Sequence, residues 1–291
     1  VAPTLRRSAL YLPGNNARAL QKATTLQADV LIFDLEDAVG PDAKADSRAR
    51  VCAAISSGEY RSAEIVVRIN GAGTAWHDDD LAAVARLPAH GVLVPKVEDG
   101  EQVDALAATL ERLGAPQELR LWVMIETPGS VLRVAEIAAA SDRLAVLVAG
   151  TNDLVNELHA QHVPGRAPVA AALSWTVLAA RAAGKGVLDG VFNDITDGAG
   201  FRAEARQGRE LGFDGKTVIH PSQIIPANEV FGPSGEELAH ARAIVAAYER
   251  AEAAGDSVIT VDGQMIEMLH VRDARRILTL ADVISARSAR P

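Results

Sequence analysis

The chain has 291 residues, is 48% hydrophobic and 23% charged, and carries a net charge of −9. That composition excludes a disordered chain and supplies a large core, and the acidic balance argues against nucleic acid or an anionic membrane surface as partner. Aromatics make up only 4%, so the core must be aliphatic.

The elements follow as apolar runs alternating with helical stretches. Residues 8–13 read as a strand closed by Pro13-Gly14, and Asn15 or Asn16 then caps a helix reaching about Gln27. Strands are expected at 30–34, 65–70, 91–96, 121–126, 144–149, 187–192 and 215–220, with helices at 42–55, 79–87, 100–113, 131–139, 169–183 and 201–211. A longer insert precedes the helix at 169–183. Eight such alternations imply parallel strands with right-handed crossovers, closing an α/β fold of the (β/α)8 TIM barrel type over residues 1–228. A doubly wound open sheet is the competitor, but no GxGxxG opens the first helix and polar residues end nearly every strand. Residues 229–291 exceed the barrel's needs and are expected as a C-terminal helical cap, with helices at 236–253 and 272–286 around a β-prone piece at 257–266.

No apolar signal core opens the sequence and no run is long enough for a membrane span, so the cytoplasm is the expected compartment. The single cysteine, Cys52, cannot form an internal disulfide and reads as a core thiol.

Chemistry concentrates where strands end. Residues 121–126 run straight into Glu126, and 144–149 lead through Gly150-Thr151-Asn152 to Asp153. Two acids at consecutive strand ends suit a hard divalent cation such as Mg2+, with Mn2+ as the substitute. Their other reading is a pair of helix caps. Asp34, Glu36 and Asp37 crowd three acids into four residues, as a solvated loop or as acids around the same ion. Arg68, inside an apolar strand, offers a fork to a substrate carboxylate or a partner to Glu36 or Asp37. Lys96 ends the fourth strand facing the same mouth. Arg18 and Lys22 share a helix face that either is merely solvated or docks a polyphosphate. His159 and His162 have no acid or cysteine to complete a ligand set and read as loop residues.

Several stretches together resemble one family: residues 7–14, Phe33-Asp-Leu-Glu-Asp-Ala-Val39, Val67-Arg-Ile-Asn70, Val94-Pro-Lys96, Ile125-Glu-Thr127, Gly150-Thr-Asn-Asp-Leu154, residues 212–224 and Asp262-Gly-Gln-Met-Ile266. In order and spacing they are similar to the citrate lyase β-subunit-like branch of the HpcH/HpaI aldolase superfamily. The resemblance implies a Mg2+-dependent carbon-carbon lyase acting on 3-hydroxy-acyl-CoA thioesters such as citryl-, malyl- or citramalyl-CoA, with CoA as part of the substrate and an oxo-acid as the other fragment. It further implies Glu126 and Asp153 as metal ligands, Arg68 on the oxo-acid oxygens, Glu36 and Asp37 positioning water at the metal, and Arg18 and Lys22 near the CoA phosphates. A homotrimer or hexamer is expected. The family's Met-Ile-Asp cap motif is here Met265-Ile266-Glu267, which puts the proton-transferring acid on a longer arm. The alternatives are a β-subunit that works only beside an acyl-carrier partner and a thioester-free pyruvate aldolase.

Overall fold

Each apolar run becomes a strand buried on both faces, as parallel sheets covered by helices require. The computed structural model describes residues 4–60, 64–254 and 259–288. The strands are β1 (Ser8–Pro13), β2 (Val30–Asp34), β3 (Glu64–Arg68), β4 (Gly91–Val94), β5 (Arg120–Ile125), β6 (Leu144–Ala149), β7 (Gly186–Asp189) and β8 (Gly215–Val218). They pair in chain order, all parallel, and β8 returns to β1 in the register Ser8↔Lys216 to Leu10↔Val218. The result is a closed (β/α)8 barrel. Its interior is filled by residues such as Val30, Ile32, Val66, Leu93, Trp122, Met124, Val146 and Leu188. Gly91 makes room for the one large ring, since a Cβ there would stand 2.9 Å from Trp122 Nε1. Arg6 covers the other side of that ring, 5.1 Å from its centroid, and pairs with Glu64.

Helices α1 (Ala17–Ala23), α2 (Lys44–Ser56), α3 (His77–Val84), α4 (Gly100–Arg112), α5 (Pro128–Leu132), α6 (Val134–Ala139), α7 (Thr151–Glu157), α8 (Ala170–Ala182) and α9 (Gly198–Leu211) follow the strands. The single helix expected at 131–139 is two. Thr127 forms a capping box with Ser130 and Pro128 occupies the first turn, so α5 starts earlier. It breaks at Arg133, whose guanidinium donates to the Glu98 carbonyl at 2.7 Å. The insert after β6 carries α7, too short for its periodicity to be read. Strands β3, β4, β7 and β8 stop before their expected ends, because the polar residues leave the ladder for the mouth. His220 therefore lies beyond β8, capping the turn Pro221–Gln223. Cys52 is half-buried on α2.

Arg6–Asn228 forms one compact unit. Leu5 and the described residues from Glu229 onward belong to a second, entered through α10 (Ile224–Val230). There α11 (Gly235–Ala254) and α12 (Met268–Ser288) pack with an antiparallel hairpin of β9 (Ile259–Val261) and β10 (Gln264–Ile266). Ala241, Ile244, Val261, Ile266 and Val271 make its own core. The start of the β-prone piece, residues 257–258, lies outside the described residues. No helix of the described residues is long and apolar enough to cross a membrane.

Candidate active site

The last residues of β2 and β3 are register partners, Asp34 opposite Arg68. Adjacency turns two isolated charges into a bidentate pair: Arg68 Nε and Nη2 each donate to Asp34 at 2.7 Å. The Asp34 carboxylate also accepts the amides of Glu36 (2.9 Å) and Ala38 (3.1 Å), which folds the acidic loop over the strand end. Arg68 is 8% exposed and stacks over Tyr11, 4.7 Å from the ring centroid. Its remaining Nη1 lies 2.9 Å from Glu36 Oε2 and 3.7 Å from Asp37. The Glu36 contact lacks hydrogen-bond alignment, leaving that buried oxygen without a donor. Burial pushes the Glu36 carboxyl up to about 7, with Arg68 opposing and Asp37 and Asp34 adding to the rise.

The second half of the mouth comes from β4, β5 and β6. Glu126 is 1% exposed, and its Oε1 accepts the Lys96 amide at 2.7 Å. Lys96 achieves that aim in the left-handed region, φ 54°, a strain of about 1–3 kcal/mol that clusters at functional sites. Burial pushes Glu126 up to about 8, helped by the charges of Glu36 and Asp153 and opposed by the Lys96 amide and Arg68. Across the β6–α7 turn, Gly150 is obligatory: a Cβ there would come 2.3 Å from Glu126 Cβ and 2.6 Å from its Oε2. Asp153, on the first turn of α7, is partly exposed and lies 3.6 Å from the Lys96 ammonium.

A cavity of about 390 Å³ opens here, lined by Tyr11, Asp34, Asp37, Arg68, Met124, Gly150, Asp153 and Asn193 among others. Glu126 stands behind the lining, against Gly150, and Glu36 beside Arg68. The barrel thus brings Glu36, Asp37, Arg68, Lys96, Glu126 and Asp153 together. Arg18 and Lys22 are exposed on α1 and line neither this cavity nor its neighbour. Glu267 is exposed in the other unit, between β10 and α12, where its amide donates to His270 Nδ1. Two participants, Tyr11 and Met124, escaped the sequence reading, and a third, Asp34, was seen there only as one of three crowded acids. Arg68 pairs with Glu36 and Asp37 as expected, but its bidentate partner is Asp34. Tyr11 and Met124 face inward, as only strand register reveals.

Carboxylates pushed toward neutrality, and an orphaned buried carboxylate oxygen, mark a site short of positive charge. Hard oxygen donors fit Mg2+, which takes one or two carboxylates and fills its other positions with water and substrate oxygens. No cluster of three or more acids, histidines or cysteines arranged for a metal occurs among the described residues.

Residues 7–221 match the family model described as HpcH/HpaI aldolase/citrate lyase. A (3S)-malyl-CoA thioesterase of Cereibacter sphaeroides is 45% identical over 280 residues, covering 96% of both chains. An L-malyl-CoA/beta-methylmalyl-CoA lyase of the same species is 35% identical, again covering 96% of each. Among solved structures, the CitE protein of Mycobacterium tuberculosis in complex with magnesium, acetoacetate and coenzyme A superimposes with a TM-score of 0.77 at 33% identity, covering 94% of this chain and 97% of that one. By sequence and by fold, the chain belongs to the HpcH/HpaI aldolase/citrate lyase family.

Proposed function

We propose that the chain is a Mg2+-dependent carbon-carbon lyase that cleaves, or in reverse forms, a 3-hydroxy-acyl-CoA thioester of the malyl type, giving an acyl-CoA and an oxo-acid. The observation that carries this reading is the buried Glu126 carboxylate, held by the Lys96 amide against Gly150 at a mouth that Asp153 and Arg68 line. Glu126 and Asp153 would hold the ion, with the Lys96 ammonium turned away from Asp153 to make room. Bound there, Mg2+ supplies Lewis-acid polarisation of substrate oxygens.

The chain's own groups supply the rest. Arg68 has two of its nitrogens fixed by Asp34, so Nη1, held only by a weak contact to the Met124 sulfur and by Glu36, is the donor that would turn to the oxo-acid fragment. Stacking on Tyr11 keeps the guanidinium plane from swinging. In cleavage the hydroxyl loses its proton, the C–C bond breaks as the oxo-acid carbonyl forms, and the electron pair passes to the thioester α-carbon, which takes up a proton. Glu36, near 7, is poised to exchange a proton at neutral pH, with Asp37 on the solvent side. Glu267 would serve the α-carbon, and Arg18 and Lys22 the CoA phosphates. Exposed Leu132, Trp175 and Leu178 on α5 and α8 offer an apolar surface for self-association, and the trimer or hexamer that the family resemblance implies would be sized by light scattering.

The 45% identity to a thioesterase favours a second reading, hydrolysis of the same thioester. One assay separates them. Purified chain with (3S)-malyl-CoA and Mg2+ releases glyoxylate and acetyl-CoA if it is a lyase, and malate and free CoA if it is a thioesterase. Failure to turn over the compound in either way, with or without Mg2+, would refute both.

A further inference from the structure

A second cavity, about 730 Å³, adjoins the first within the barrel unit. The two share Thr151, Val191 and Asn193 in their walls. Its charged groups are already engaged with one another or with the backbone. Arg166, 7% exposed, donates to Asp189 at 2.6 Å and to Gln207 at 2.9 Å. Lys216 reaches Glu204 at 2.8 Å, while Gln207 donates to the Gly165 carbonyl at 2.6 Å. Asp194 accepts from Thr196, and Asp197 from the Gly200 amide. Gln161 and His162 are exposed. Apart from Thr151, Asn193 and the exposed Gln161 and His162, the side chains left to face a ligand are apolar: Val155, Val163, Val169, Val191 and Phe192. Such a wall favours an uncharged aliphatic group, since Arg166 in its lining is already committed to Asp189 and a buried carboxylate needs a cation to offset its desolvation.

Asn193 of the shared wall and Asn152 of the first cavity clasp each other's amides, Asn152 Nδ2 donating at 3.1 Å and Asn193 Nδ2 returning a bond of 2.8 Å. The pair ties the start of α7 to the loop after β7. We propose that the second cavity is an aliphatic subsite of the substrate chamber and that the Asn152–Asn193 clasp partitions it off, so that the intact pair confines the enzyme to short acids and its opening admits an alkyl-bearing substrate. This rests on the oxo-acid reading above and specifies which carbon skeletons that site accepts.

The test is direct binding of 2-oxo-acids of increasing alkyl length, from pyruvate to 2-oxohexanoate, by calorimetry in the presence of Mg2+. The clasp is exposed, so Asn193→Ala retains the fold, which circular dichroism verifies. The parent is expected to weaken with each added carbon. In Asn193→Ala the preference flattens or inverts, with 2-oxohexanoate gaining at least tenfold relative to pyruvate. Adding Ala203→Trp, which fills the second cavity from α9, is expected to erase that gain. An unchanged length profile in Asn193→Ala, a gain that survives Ala203→Trp, or no oxo-acid binding by the parent overturns the proposal. Turnover of malyl-CoA is scored separately, so the loss of one reading is distinguishable from the loss of the other.

Discussion

Glu126 and Asp153 bear different burdens, and their substitutions should differ. Replacing Glu126 by Gln keeps shape and the Lys96 contact but removes a charge that burial already disfavours. The metal-free protein should therefore gain thermal stability near pH 8 while Mg2+-dependent turnover falls at least 100-fold, on the order of 3 kcal/mol of transition-state stabilisation. Asp153→Asn should lose turnover similarly with little change in melting temperature, because its carboxylate is partly exposed. Arg68→Lys keeps the charge but cannot span both Asp34 oxygens. Turnover should drop and the KM for the oxo-acid should rise in the condensing direction, while the KM for the acyl-CoA stays near the parent value. The Arg68–Asp34 pairing was hidden in the sequence because it depends on strand register, which places residues 34 apart side by side. With register known, the two strand-end charges identify each other.

At the scale of elements, the turn from β6 into α7 is the most constrained joint in the mouth. Gly150→Ala drives a Cβ into Glu126, an overpacking that costs about 1–3 kcal/mol and shifts the carboxylate. Denaturant unfolding should register the loss, and calorimetry a weakened Mg2+ affinity. Most of the eight strands were legible as apolar runs with a polar residue at or just past their ends. Helix α7 and the break at Arg133 were not: one is too short to show a helical period, and the other depends on a tertiary bond to the Glu98 carbonyl.

Across the whole molecule, the carboxyls of Glu36 and Glu126 link stability, pH and metal. Both are raised on folding, from 4.5 to about 7 and about 8. Their protonated forms favour the fold, so the contribution of these two groups to metal-free stability is fully present below about pH 4.5 and is lost as pH rises through 7 to 8. Mg2+ competes with those protons and should restore stability where it was lost, giving a larger rise in melting temperature at pH 8 than at pH 6. Differential scanning fluorimetry with and without Mg2+ checks the sign. The second compact unit has its own core and carries Glu267, whose replacement by Gln should lower turnover without altering Mg2+ affinity. The barrel and the acid-rich mouth could be read from the chain, and the family motifs located the acids. The reaction could not, because lyase and thioesterase relatives share the same fold.

The most direct measurement is a calorimetric titration of Mg2+ into the parent and into the double variant Glu126→Gln/Asp153→Asn at pH 8, each with an oxo-acid present. One ion per parent chain, absent from the folded double variant, is the predicted outcome. Equal binding by both would contradict the placement of the metal and, with it, the proposed chemistry.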